Sequence, residues 1–465
     1  MLASGNSKNL KSVTGIMEQE QHERNRGVVK EDLISELPEE LLLHILSSLP
    51  TKRVIATSVL SKRWRSLWKM VPKLEFNSNF HYTHQFSENV GRTLFSHKAP
   101  VLESFHLKVS GRYSQSRACD EIDIGVWTEI AFERHVRELV LELCSERCVR
   151  FPISMFSFST TLETLILKYS VLVDVPSPVC MKSLRTLHLE SVDFKDSESI
   201  RNLISGCPNL EELVIYQCYR KDVVLTFTIV APFLKRLVIT DYFVGSENGG
   251  YVINAPSLKY LTLKGVSHYG CCLIENVPML VEAKIREVSY IANENIVGSL
   301  TSVKRLFLDV SPLEIKFPTD SIFYQLVHLK MHTRREEWWN LLMLMLNSSP
   351  KLQFLKLTDE KRKFRKRGLV GRKWIEPKNV PECLLPHLKM FVWTRYRWES
   401  ELEKEVATYI LKNARQLKNA SFSRRPIHSK EHHKLEERCK MVKELDGVVR
   451  ASSSCHLVFV VDSVE

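Results

Sequence analysis

Along most of the chain the apolar residues recur as L-x-x-L-x-L. The unit stands as Leu162, Leu165, Leu167, then Leu184, Leu187, Leu189, then Leu210, Leu213, Ile215, then Leu234, Leu237, Ile239. It continues from Leu258, in a worn form from Leu280, and from Val303, Leu326 and Leu352. First positions lie 22, 26, 24, 24, 22, 23, 23 and 26 residues apart, and weaker copies begin at Leu102, Val136, Leu388 and Leu417. Apolar residues two apart share one face of a strand, and the residues beside them share the other. Each unit therefore predicts one short strand with its leucines inward. The runs Cys207-Pro208-Asn209, Ala255-Pro256-Ser257 and Ser349-Pro350-Lys351 predict turns that stop each return before the next strand. The pattern also predicts a helix under the sheet around Trp338 and Trp339, a last helix over Lys430 to Leu445, and a closing strand from His456.

A period of roughly 20 to 29 residues on this template marks leucine-rich repeats. One unit cannot cover its own apolar face, so neighbours supply the cover by stacking. The expected fold class is an α/β solenoid, a horseshoe with a parallel concave sheet, running from about residue 75 to the end of the chain. Outward strand positions are then the candidate concave surface for a partner: His188, Glu190, Tyr216, Thr240, Lys264, Arg286, Asp309, His332 and Thr358. Their mixed charge suits a protein or peptide rather than a deep small-molecule pocket.

Residues 32 to 68 follow a helical period instead. Pro38 is expected at the first position of a helix, with Glu39 and Glu40 at its positive end and Leu41, Leu42, Ile45, Leu46 and Leu49 as an apolar stripe. Pro50 stops it, Thr51 is expected to cap a second helix through Leu60, and Ser61 a third that carries Trp64 and Trp68. Three helices this short have more apolar surface than they can cover, which implies docking on a partner or, alternatively, capping of the solenoid's first edge.

The composition, 44% hydrophobic and 26% charged over 465 residues, is that of an ordered protein. No apolar run is long enough for a membrane span, and the polar N-terminus lacks a signal-peptide core, so an intracellular location, nucleus and/or cytoplasm, is expected. The eleven cysteines form no C-x-x-C pair, which favours reduced thiols over metal or disulfides. Of the net charge of +12, the segment Lys361 to Lys378 supplies +8, from nine Lys or Arg against Glu376. One basic loop is a poor match to a nucleic-acid groove, so nucleic acid is not the expected partner. The chain carries no P-loop, G-x-S-x-G, H-E-x-x-H or G-x-G-x-x-G, so no enzyme and no cofactor are expected.

The stretch LPEELLLHILSSLPTKRVIATSVLSKRWRSLW resembles an F-box, and SVLSKRWRSLW resembles the plant class in which an F-box precedes leucine-rich repeats. Trp374, Pro377, VPECLLPHLKMFVW and ELEKEVATYILKNARQLKNASFS resemble the FBD domain that closes many such proteins. The resemblance implies a disordered tail over 1–31, a small three-helix F-box over 32–75, repeats over 76–370 and an FBD domain over 371–465 that completes the solenoid. It further implies a substrate-recognition adaptor of an SCF-type ubiquitin ligase. The F-box would bind the Skp-family linker, and through it a cullin, and the repeats would recruit a protein substrate. By position the linker contacts would fall on Leu37, Pro38, Leu41, Ile45, Leu46, Leu49, Pro50, Leu60, Trp64 and Trp68. The alternative is a repeat scaffold with no ubiquitin-ligase role.

Overall fold

The computed structural model describes residues 34, 36–78, 84–110, 121–145, 148–151, 160–177, 179–218, 225–242, 249–266, 271–288, 296–315, 317, 321–359, 374–396, 400–424 and 433–461. The expected tail over 1–31 and the basic residues 361–373 lie outside them. The chain divides into two units, Met1–Val71 with His97–Ala99, and Pro72–Ser96 with Pro100–Glu465.

The second unit is organised by one fifteen-stranded sheet whose strands follow chain order, each paired in parallel with its neighbour. Every L-x-L unit of the sequence is a strand of this sheet, from Thr164–Tyr169 through Thr186–Glu190, Glu212–Gln217 and onward to Phe354–Thr358. The weaker copies supply Ser104–Ser110, Glu138–Cys144, Met390–Thr394 and Asn419–Arg424, and His456–Val461 is the last strand. One strand, Lys73–Asn77, was not among the predicted units. The leucines are inward as expected: Leu187, Leu213, Leu237, Leu329 and Leu355 are fully buried, as are the first-position Leu184, Leu234, Leu258 and Leu352. The worn unit keeps register, pairing Tyr260 with Glu282 and Glu282 with Arg305, because its Ala283 is small yet still inward.

The turns before the strands share one construction. Leu210 N–H donates to Cys207 O, Leu234 to Ala231 O, Leu258 to Ala255 O and Leu352 to Ser349 O, with proline at the second turn position each time. Proline presets the φ that this position needs. The chain leaves the sheet by a second recurring device, a left-handed residue after the last outward position: Tyr169, Ser191, Gly265, Glu287 and Arg395 all have positive φ.

The returns cover the inner face. Two small parallel sheets, Thr226–Val230 with Gly250–Asn254 and Cys271–Asn276, and Val149–Arg150 with Val171–Val173 and Asp193–Phe194, turn Phe227, Ile253, Val173 and Phe194 into the same core as the leucines. Tyr251 Oη donates to Asp241 Oδ2 at 2.7 Å, so its buried hydroxyl is satisfied. Helix Trp338–Asn347 buries Trp338, Trp339, Leu341 and Leu342 under the sheet, as its period implied. Towards the end, Trp338, Phe391, Trp393, Tyr396 and Phe422 form edge-to-face contacts at 5.0 to 6.0 Å. Helix Glu401–Asn413 brings Tyr409 to the ring of Trp374, and His433–Asp446 is the last helix.

Gly265 tests the exit turn. Its φ is +75°, and a Cβ there would stand 2.4 Å from Asp241 O. Gly265→Ala should lose about 1–3 kcal/mol of stability. An unchanged melting temperature would contradict this description of the turn.

Candidate binding surfaces

Among its described residues the first unit holds three short α-helices, α1 (Glu39–Ser47), α2 (Thr51–Ala56) and α3 (Lys62–Leu67). The starts of its first two helices differ by one residue from expectation. Pro38 and Pro50 stand at the N-caps of α1 and α2, with ψ of 147° and 142°, and Thr51 is the first residue of α2. Each proline fixes φ but keeps an extended ψ, so it contributes its carbonyl rather than a helical residue. Leu42 N–H and Val54 N–H donate to those carbonyls at 3.1 Å. The α-helix after Thr51 stops at Ala56 and continues as a 3₁₀ turn over Thr57–Val59, short of Leu60. Ser61 is the N-cap of α3, though its side chain makes no capping bond. Arg63 Nη2 donates to Leu37 O at 2.7 Å and ties α3 to the entry of α1.

The core of this unit is Leu42, Leu46, Val54, Trp64, Leu67 and Val71, with Leu37, Leu43 and Trp68 packed at its margin. The ten expected linker contacts therefore separate. Leu46 and Trp64 belong to the core, and Leu37 and Trp68 are half-buried against it. Pro38 and Pro50 are exposed at the helix entries. Leu41, Ile45 and Leu49 remain exposed by 51%, 48% and 37%, and Leu60 by 65%. Residues four apart share a helix face, so α1 and its exit carry two apolar stripes, Leu42 and Leu46 inward and Leu41, Ile45 and Leu49 outward. Sequence reasoning missed Val59, the most open apolar residue here, and Ile34. The signal for Val59 was available, because it sits beside Leu60 in a segment too short to bury both.

On the second unit, alternation leaves the other sheet face open. The ladder aligns a middle row, Val140, Ile166, His188, Val214, Val238, Thr262, Lys284, Phe307, Lys330 and Lys356. It aligns a second row nearer the strand ends, in which Glu190, Tyr216, Thr240, Lys264, Arg286 and Asp309 are successive partners and His332 pairs with Thr358. The nine expected surface residues thus all lie on strands of this face, His188 in the middle row and the rest in the second. They are not equally open. His188, Glu190, Tyr216, Thr240, Lys264 and Arg286 are half-buried, whereas Asp309, His332 and Thr358 are buried. Neighbouring side chains cover these three: Arg335 lies on Asp309 at 2.9 Å, the Phe307 ring on His332 at 5.1 Å and the Thr394 hydroxyl on Thr358 at 2.7 Å. The middle-row residues Lys284, Phe307, Lys330 and Lys356 were missed, although the position between the two inward residues names them.

Ion pairs bridge adjacent strands: Lys168 with Glu190 at 3.0 Å, Arg236 with Glu212 at 3.1 Å and Arg305 with Glu282 at 2.8 Å. Burial, with help from a hydrogen bond to Glu190, pushes the Tyr169 hydroxyl up to about 12. Burial pulls His188 below its ordinary value, Lys168 and Arg236 acting the same way against Glu212. His328 is lowered by burial and by Arg305. Among the described residues there is no cluster of three metal-ligating side chains, and no helix is long and apolar enough to cross a membrane.

A solenoid of parallel strands with an open face, together with a separate helical unit that carries an uncovered apolar stripe, defines a modular leucine-rich-repeat protein. Residues 34–76 match the F-box domain, residues 124–282 the leucine-rich repeats described for FBD-associated F-box protein At5g56370, and residues 376–422 the FBD domain. F-box/FBD/LRR-repeat protein At3g52680 of Arabidopsis thaliana is 57% identical over 459 residues, covering 97% of this chain and 98% of its own length. F-box/FBD/LRR-repeat protein At4g00160 of the same plant is 55% identical, covering 96% and 98%. The chain belongs to this plant family of F-box/FBD/LRR-repeat proteins.

Two outcomes follow from the burial. Replacing Leu41 or Ile45 by Ser should shift stability by less than about 0.5 kcal/mol, whereas Leu46→Ala should lose about 2–5 kcal/mol; equal losses in denaturant melts would contradict the two-stripe assignment. The fold favours the neutral forms of His188 and His328, lowering both from an ordinary value of 6.5. Their contribution to stability is thus complete above that value and is lost as pH falls below it. Imidazole NMR titrations should place both below 6.5, and midpoints at or above it would contradict the burial argument.

Proposed function

We propose that the chain is the substrate-recruiting subunit of an SCF-type ubiquitin ligase. Its F-box binds a Skp-family linker, and through it a cullin, while the open face of the repeats holds a protein substrate. The observation that carries the reading is the outward stripe of Leu41, Ile45 and Leu49, left uncovered within the segment that matches the F-box. These side chains are already about half covered, so burying the remainder contributes roughly 2 to 4 kcal/mol before the costs of association are subtracted, and a stable partner must cover further residues of this unit as well. An amphipathic helix set into an apolar groove is also a recurring docking mode. Leu60 and Val59, exposed beyond α2, extend the same kind of contact.

The chain then contributes no bond-making chemistry. It acts by tethering, raising the local concentration of a substrate lysine beside the ubiquitin-charged enzyme. A sheet with half-buried polar rows suits a protein or peptide surface, and the location expected is the nucleus and/or cytoplasm.

The test is co-purification with a Skp-family linker. The native chain should retain the linker, and the variant Leu41→Asp, Ile45→Asp, Leu49→Asp should lose it while keeping its melting temperature. Retention of the linker by that variant overturns the assignment of the stripe.

A further inference from the structure

The two ends of the fifteen-stranded sheet differ. The first strand, Lys73–Asn77, turns Leu74 and Phe76 inward with 2% and 9% exposure and sets Lys73, Glu75 and Asn77 on the outward row. Every later inward pair, as far as Ala420 and Phe422, is buried as well. The last strand, His456–Val461, departs from this pattern in three ways. Its inward Leu457 and Phe459 are only half-buried, although Phe459 stacks on the Phe422 ring at 6.3 Å. Its outward row is apolar, with Val458 44% and Val460 46% exposed. Among the described residues, no strand pairs with it on the side away from Asn419–Arg424.

Edge strands are ordinarily blunted by a charge, a proline or a bulge. Residues 457 to 461, in the order LVFVV, carry no charge and no proline, and their register to Asn419–Arg424 runs without a shift. The ladder also gives the direction of the backbone groups. His456 N–H donates to Lys418 O at 2.8 Å. Successive residues of a strand point their N–H and C=O to opposite edges, so Val458 and Val460 bond back into the sheet and Leu457 and Phe459 present theirs at the open edge.

We propose that this edge pairs with the same edge of a second copy of the chain, antiparallel about a two-fold axis at Val458. The axis sets Leu457 opposite Phe459 of the second copy, a hydrogen-bonded pair made twice, which completes the cover of both inward residues. It sets Val458 opposite its own counterpart in the closer, non-hydrogen-bonded kind of pair. The alternating apolar pattern is thus its own complement. Head-to-tail stacking would instead bring the first strand of one copy to the last of another. The covered inward pair and polar row of Lys73–Asn77 offer Val458 and Val460 no match, and that arrangement does not close. An interface built on one strand pair falls below the about 1,200 Å² of standard complexes, so micromolar association is expected.

The test is sedimentation velocity of the full chain from about 1 to 100 μM. The native chain should pass from monomer to dimer. Val458→Lys places like charges opposite each other and should weaken dimerisation at least about tenfold at an unchanged melting temperature. Val458→Thr, still β-branched, should weaken it by less. In a glutathione redox buffer Val458→Cys should form a covalent dimer, because a non-hydrogen-bonded pair holds its Cα atoms about 4.5 Å apart. The native chain and Val238→Cys, on the same face but inside the sheet, should not. A native chain that stays monomeric overturns the proposal, and so does a dimer that Val458→Lys retains. Species that grow beyond the dimer and vanish with Val458→Lys make the contact head-to-tail and overturn the two-fold pairing. Cross-linking of Val458→Cys no greater than that of Val238→Cys overturns the register.

Discussion

Burial of the L-x-L pair by the next repeat is the interaction on which the rest depends. A single strand with its return cannot keep Leu187 and Leu189, or Leu213 and Ile215, from water, but in the stack these four are at most 1% exposed. The parallel ladder that results is continuous from Lys73–Asn77 to His456–Val461. Register then fixes everything outward. Once Leu187 pairs with Leu213, His188 must face the same way as Val214, and Glu190 as Tyr216. The rows of the open face follow from core packing, which constrains the inward positions to apolar residues and leaves the chemistry of the outward ones open.

Much of this was legible because the code is local. Each predicted strand required only three apolar positions, and each turn only a proline ahead of a leucine. The strand Lys73–Asn77 carries the same pattern in Val71, Leu74 and Phe76, but the next unit begins at Leu102, 31 residues on, outside the expected period. The Pro38 assignment slipped by one residue because sequence shows that proline favours a helix start without showing which ψ it takes, and Thr51, expected as the cap of the second helix, is its first residue behind the cap Pro50. The burial of Asp309, His332 and Thr358 was not legible. It depends on Arg335, Phe307 and Thr394 reaching across from other repeats or from the strand end.

The two units distribute apolar surface in opposite ways. The solenoid's sheet turns its leucines inward and offers polar rows. The first unit is too small to cover everything it carries, and α1 therefore has an inward stripe that holds three helices together and an outward one that does not. Leu42 and Leu46 are buried and Leu41 and Ile45 exposed, although the sequence shows the four as one run. The two surfaces thus differ in chemistry, apolar at the first unit and polar along the repeats, as the proposed linking of two partners requires.

Hydrogen–deuterium exchange of the full chain with and without a Skp-family linker tests that division most directly. The account predicts slowed exchange confined to amides of residues 36–60, with the strand amides of the sheet unchanged. Protection spread over the strands, or none in residues 36–60 when the linker is bound, would contradict it.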